Sequence, residues 1–353
     1  TCRPDTLWSG TRRSTCATSD RKEPVMRVAL VGMDSFYFTQ TIAGLLGDLP
    51  GAEWVGCCDL GVPDECVANA GKPSTEIADE HGVPLFSDID ALLASGQPDA
   101  AVIATNPSRV PEVAAALAAS GLHLYIVKPA ALNAAGTAIL REAIVDKSQV
   151  IVSGMTYRRH PSVIAAGEAL ANGAIGELSS IRAMHQHGRL SIWGPTSWYF
   201  TEPELHPALY LGWYVADLFR WFVGEPAEAA AALGSRLADP TSPHEDTVRT
   251  ICRSASGVVG SLDVYFGVSW PYADLELELL GTNGAIRFNA REGGQIVTSD
   301  GAETIEPTNV NMMQTELEAW IAAAVGDIDD WHRPAEWLDA LDHGIAMTEA
   351  LKA

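Results

Sequence analysis

The sequence predicts a two-domain α/β protein. A doubly wound parallel sheet precedes an α+β domain built on a large, mostly antiparallel open sheet. Three observations carry this. Over residues 26–155, short apolar runs ending in Gly, Asp or Lys alternate with helical stripes, the pattern of parallel strands covered on both faces. From residue 156 onward the strands lengthen and alternate apolar with polar, as one-sided antiparallel strands do. A length of 353 residues exceeds one ordinary core and suits two.

The elements follow in order. Arg27–Gly32 is an apolar run closed by glycine, a buried strand, and Ile42, Leu45, Leu46 and Leu49 then mark one face of a helix. Trp54–Cys58 is a second strand ending at Asp59. Thr75–His81 reads as a helix, Pro84–Phe86 as a strand and Asp88–Leu93 as a helix. Ala100–Ala104 is a buried strand opening onto Thr105-Asn-Pro-Ser108; the helix Pro111–Ser120 carries Pro in its first turn and Gly121 past its end. His123–Val127 is a strand stopped by Lys128-Pro129, followed by a helix over Ala131–Asp146 and a strand at Val150–Ser153. In the second half, Pro161–Asn172 and Leu209–Phe222 are helical. Strands are expected at Thr247–Arg253, Gly257–Phe266, Asp274–Leu280 and Ala285–Asn289, and terminal helices at Met312–Val325 and Ala335–Leu351.

Residues 1–25 are polar and Arg-rich and end just before Met26; they read as a disordered tail or upstream extension, and no apolar run follows Arg12-Arg13 to make an export signal. No stretch of about eighteen uncharged apolar residues predicts a membrane span. A formal charge of −22 argues against nucleic acid or an anionic membrane as partner and fits a solvated acidic exterior handling small metabolites. The six cysteines form no C-x-x-C pair and read as reduced cytoplasmic thiols, with a metal or disulfide role left open.

Ligands of doubly wound sheets bind outside the carboxyl ends of the strands. Gly32, Asp59, Thr105, Asn106 and Lys128 all fall at such ends. From about Met26 onward the chain resembles the Gfo/Idh/MocA family, named for glucose–fructose oxidoreductase and inositol dehydrogenase. The likeness rests on Val28–Gly32, Asp59, Ala104-Thr105-Asn106, Val127-Lys128-Pro129, Tyr157-Arg158, Gly212–Trp221 and Leu279–Gly284, in order. It implies a Rossmann-type NAD(P)-binding domain over 26–155 and a substrate and oligomerisation domain over 156–353. It further implies an oxidoreductase of sugar-like or cyclic alcohols, and a homodimer or homotetramer formed through the second sheet. The cofactor set it implies is Gly32, Asp34, Ser35, Phe36, Asp59, Thr105, Asn106, Lys128 and Arg158, and Lys128-Pro129 matches a bond that is cis in the family.

The departures fall at functional positions. A pyrophosphate turn wants G-x-G-x-x-G, and here Gly32-Met-Asp-Ser-Phe-Tyr37 keeps only the first glycine. Asp34 is a candidate cap for the following helix, placing a carboxylate where phosphate belongs. Two like charges that close cost on the order of several kcal/mol. Asp59 suits a ribose diol and repels a 2′-phosphate, favouring NAD over NADP. Lys128, at a strand end, is the candidate proton carrier, with Val127 in place of the family's glutamate. Where relatives show D-x-G-x-H-x-x-D-x-x-R-W, this chain has Tyr210, Tyr214, Asp217, Arg220 and Trp221. Tyr214 is the second candidate catalytic residue; Tyr210, His206 and Lys128 are candidate substrate contacts. His185 and His187 share a strand face, but no third ligand is spaced for a metal, so no metal is expected. Two rivals remain open: a binding or regulatory protein that kept the fold and lost the chemistry, and a redox-neutral lyase or hydrolase holding NAD.

Overall fold

The computed structural model describes residues 25–61, 72–188, 198, 202–268, 274–329 and 331–352. The expectation for residues 1–25 lies outside that set apart from Val25. The chain divides into two compact units.

The first unit holds six strands, β1 Met26–Gly32, β2 Ala52–Cys58, β3 Leu85–Phe86, β4 Ala100–Ala104, β5 His123–Ile126 and β6 Ile151–Ser153. They are parallel throughout, in the order β3-β2-β1-β4-β5-β6. The direction of winding reverses between β1 and β4, which opens a crevice at their carboxyl ends. Val28, Leu30, Val102 and Ile103 are wholly buried because helices cover both faces, and for the same reason the outward-opposed thiols of Cys57 and Cys58 are both buried. The connecting helices are α1 Phe36–Leu46, α2 Ser74–His81, α3 Ile89–Ala94, α4 Val110–Ala119 and α5 Ala134–Ile144. Their ends follow local chemistry: Asp88 caps α3 by accepting from Ala91 N at 2.7 Å, and Gly82 closes α2 at φ 66°.

The second unit carries β7 Leu178–Gly188, β8 Ala227–Ser235, β9 Thr247–Ser254, β10 Val259–Val268, β11 Asp274–Gly281, β12 Gly284–Asn289, β13 Gly293–Thr298 and β14 Gly301–Ile305. Their order is β14-β13-β12-β11-β7-β10-β9-β8; only β7 and β10 run parallel. Alternation is strict in β9, where Val248, Thr250, Cys252 and Ser254 are buried and Arg249, Ile251 and Arg253 are exposed. The Ala-rich run Ala227–Leu233, made of good helix formers, is an edge strand, so pairing with β9 overrides propensity there. The helices are α6 Pro161–Ala171, α7 Pro207–Tyr210 and α8 Gly212–Val223, with α8 lying against β7 and β10. The single helix expected over Leu209–Phe222 is thus two, broken at Leu211.

Two terminal helices complete the chain, α9 Met312–Ala324 and α10 Pro334–Ala350. Met313–Ala335 belongs to the first unit, which a division in chain order at residue 155 does not capture. Its anchors are buried: Tyr125 Oη donates to Glu316 at 2.9 Å, and the Trp320 indole donates to the Val150 carbonyl at 3.4 Å. Among the described residues no helix is long and apolar enough to cross a membrane.

Candidate functional site

In the first unit the site grows from the turns after β1, β2, β4 and β5. Gly32 has φ 107°, and a Cβ there would sit 2.6 Å from Thr105 Cβ and 2.7 Å from the Ala104 carbonyl, so only glycine fits. Met33 follows at φ 86°, a left-handed conformation unusual for a side-chain-bearing residue, held by its N–H donating to Ala104 O at 3.0 Å. Asp34, 3% exposed, accepts from the backbone N–H of Asn106 at 3.1 and 3.2 Å. Ser35 holds the N-cap position of α1 without a side-chain cap bond, at a helix end whose dipole favours an anion. Burial pushes the Asp34 carboxyl above its ordinary pKa, against the opposing pull of Asn106 N–H and the Arg109 charge. The candidate Phe36 opens α1, but its side chain lies outside what is described.

After β2, Asp59 accepts from Gly61 N at 2.8 Å across Leu60, whose φ is 56°. Thr105 is buried beneath Gly32, and the Asn106 side chain accepts from Ser108 N and Oγ, both at 2.9 Å. Lys128 follows β5, is 4% exposed, and precedes a cis bond to Pro129. Burial drives its ammonium well below the usual lysine pKa. Its Nζ lies 6.0 Å from the centroid of the Phe38 ring on α1, which favours the charged form and moderates that shift.

In the second unit Tyr214 stacks on His185 at 5.3 Å and meets Tyr157 edge-on at 5.1 Å, with its hydroxyl 3.5 Å from Thr156 Oγ1. His187 and Tyr210 instead flank Phe266, at 5.6 and 6.3 Å. The two tyrosines of the motif thus have different neighbours, one shared strand face supplying His185 and His187. Arg158, expected at the cofactor, is committed elsewhere. Its guanidinium donates to Asp217 through Nε at 2.7 Å and through Nη2, and to Glu336 at 3.2 Å, with Arg158 and Asp217 side chains each 2% exposed. Asp217 pairs with Arg158, and Arg220 pairs with Asp339. His206 is a helix cap: Nδ1 accepts from Ala208 N at 2.9 Å, so the proton sits on Nε2 and is donated to Glu245 at 2.8 Å. Both ring nitrogens are used, and burial lowers its pKa to about 4 despite Glu245. His160 caps α6 in the same way, with Pro161 following as Pro207 follows His206. That His-Pro pair was the signal that identifies His206 as a cap. Among the described residues no three His, Cys, Asp or Glu side chains are placed to hold a metal.

Residues 26–155 match the family described as an oxidoreductase family with an NAD-binding Rossmann fold, and residues 163–287 match the GFO/IDH/MocA C-terminal domain. The chain belongs to the Gfo/Idh/MocA family. Its first unit is accordingly the NAD-binding Rossmann domain of an oxidoreductase family. The family resemblance extends to inositol 2-dehydrogenase 2 of Saccharopolyspora erythraea, 24% identical over 79% of this chain and 84% of that one. Levoglucosan dehydrogenase of Pseudarthrobacter phenanthrenivorans is 28% identical, over 50% of this chain; the match spans about half, 52%, of that relative. In fold, a myo-inositol 2-dehydrogenase from Lactobacillus plantarum superposes with TM-score 0.75 at 18% identity, covering 93% of this chain and 97% of that one. Against the motifs quoted above, this chain departs at Asp34, Tyr37, Val127, Tyr210 and Tyr214. Arg109, between Asn106 and α4, was not singled out by any family motif.

Proposed function

We propose that the protein is an NAD-dependent oxidoreductase that moves a hydride to or from a CH–OH carbon of a sugar-like or cyclic alcohol. Lys128 and Tyr214 serve in proton transfer. The observation that carries this reading is Lys128, a buried amine at the carboxyl end of β5 in a sheet of dinucleotide-binding order. The residues fit the cofactor: Gly32 admits close backbone approach, the N-cap Ser35 of α1 spends no side-chain bond on the helix end, and Asp59 suits a ribose diol. Bound there, NAD supplies the hydride acceptor or donor.

The chain's own residues manage the proton. Lys128, its pKa lowered by burial, takes the hydroxyl proton as the alcohol is oxidised and returns it in the reverse direction. Tyr214 offers a phenol whose ring is fixed between His185 and Tyr157, so its oxygen keeps one direction. Tyr210, in place of the family's aspartate, contributes shape beside Phe266. Relatives named inositol, levoglucosan and D-apiose dehydrogenases support the substrate class. A homo-oligomer formed through the second sheet belongs to the same reading. Its support is the outward face of β9 and β10, where Ile251 and Val259 are exposed beside the Arg249–Asp263 pair.

The test is to titrate NADH into fresh protein and then to measure NADH formation against neutral sugars, cyclitols and anhydrosugars. Saturable NADH binding with turnover on at least one of them is expected. Binding without turnover on any would favour a silent binding protein, the reading that Asp34 and Tyr210 support.

A further inference from the structure

Three turns of the crevice are tied together by a residue that the family motifs do not mark. Arg109 Nη2 donates to the Leu60 carbonyl at 2.8 Å, and its backbone N–H donates to Asn106 O at 2.8 Å. Asn106 in turn donates to Asp34. The turns after β1, β2 and β4 are therefore linked through Asp34, Asn106, Arg109 and Leu60. The strap fixes where the guanidinium lies: one residue beyond Asp59, at the end of β2. Its positive charge is felt both by Asp34 and by Cys58, the last residue of β2.

Arg109 is half-buried, and among the described residues its guanidinium is held through Nη2 alone, out of five donors. The Asp59 carboxylate beside it is turned onto Gly61 N, and Arg109 makes no ion pair with it among the described residues. The end of β2 is where the adenosine ribose lies in folds of this order; a carboxylate there accepts from the ribose hydroxyls, and an arginine there accommodates a 2′-phosphate. This chain has both. A guanidinium fork matches a phosphate in geometry as well as charge, which a lone carboxylate opposes.

We propose that Arg109 is a specificity-determining residue of the cofactor site, offering the 2′-phosphate of NADPH a cation beside Asp59, so that the chain binds NADPH as well as NADH. This rests on the NAD-linked reading above, and the experiment separates the two. NADH and NADPH are titrated by nucleotide fluorescence into wild type, Arg109→Met, Arg109→Lys and Asp59→Asn, with circular dichroism confirming the fold of each. Both nucleotides should bind wild type. Arg109→Met should weaken NADPH about ten- to a hundredfold, the range of a charge-assisted hydrogen bond, and NADH by no more than about threefold. Arg109→Lys should recover part of the NADPH affinity, and Asp59→Asn should tighten NADPH. Wild type that binds NADH but not NADPH overturns the proposal, as does an equal loss of both nucleotides in Arg109→Met. Wild type that binds neither overturns the NAD-linked reading itself and this inference with it.

Discussion

Replacing Lys128 with methionine separates a proton carrier from a structural lysine, because the two roles predict opposite changes. Methionine is close in length, apolar and adaptable, so it fills the site without a cavity. The structure buries the ammonium to 4% exposure, and desolvation is what lowers its pKa. The folded state therefore binds that proton less tightly than the unfolded chain does. By linkage, the lysine's contribution to stability is greatest above the unfolded pKa and is lost as pH falls through the depressed folded value. At neutral pH, Lys128→Met removes this penalty, so the melting temperature should hold or rise. Turnover should fall about 10²–10⁴-fold, the span of a positioned acid–base group. At about 1.36 kcal/mol per decade, that is roughly 3–5 kcal/mol of barrier. The wild-type rate of alcohol oxidation should rise with pH as Lys128 gives up its proton, and that limb should vanish in the variant. The assay is steady-state NADH formation from pH 6 to 10, alongside thermal melts and NADH titration. Turnover within about threefold of wild type, or a melting temperature that drops together with activity, would falsify the assignment.

Tyr214→Phe removes only the phenolic oxygen and leaves the stack on His185; turnover should fall about 10²–10⁴-fold with NADH affinity unchanged, whereas Tyr210→Phe should cost less, both read by steady-state rates and nucleotide titration. Asp217→Asn leaves the Arg158 guanidinium buried with one carboxylate partner fewer, and should destabilise by about 3–5 kcal/mol in urea unfolding; a loss below about 1 kcal/mol would show that the pair is dispensable. His206 and His343 are both lowered to about 4 by burial, so the unfolded chain binds their protons first and stability should decline as pH falls from about 6.5 toward 4. Urea midpoints that stay flat across that window in wild type, or decline equally in a His343→Phe, His206→Asn double variant, would refute the linkage.

Local burial is written into the order of residues. The runs Val28–Val31 and Ala100–Ala104 are apolar without alternation because helices cover both faces of their sheet, and β9 alternates because only one of its faces is covered. Strand ends were legible for the same reason, since each apolar run stops where the backbone leaves the core, and this located Gly32, Asp59, Thr105, Asn106 and Lys128 from the sequence alone. Partners were not legible. Arg158 is placed at the cofactor by the family resemblance, yet its carboxylates stand 59 and 178 residues away. Asp34 reads as a cap for the helix beside it, yet it reaches an N–H 72 residues on. His206 reads as a substrate contact until Nδ1 is seen on Ala208 N and Nε2 on Glu245. Arg109 carries no motif and acquires its place only because β4 packs against β1 and brings its turn beside that of β2. Periodicity records whether a side chain meets water or the core, a property of its own few neighbours in sequence. Which charge it meets there is fixed by how distant strands and helices come together, and for this protein only the tertiary structure decided that.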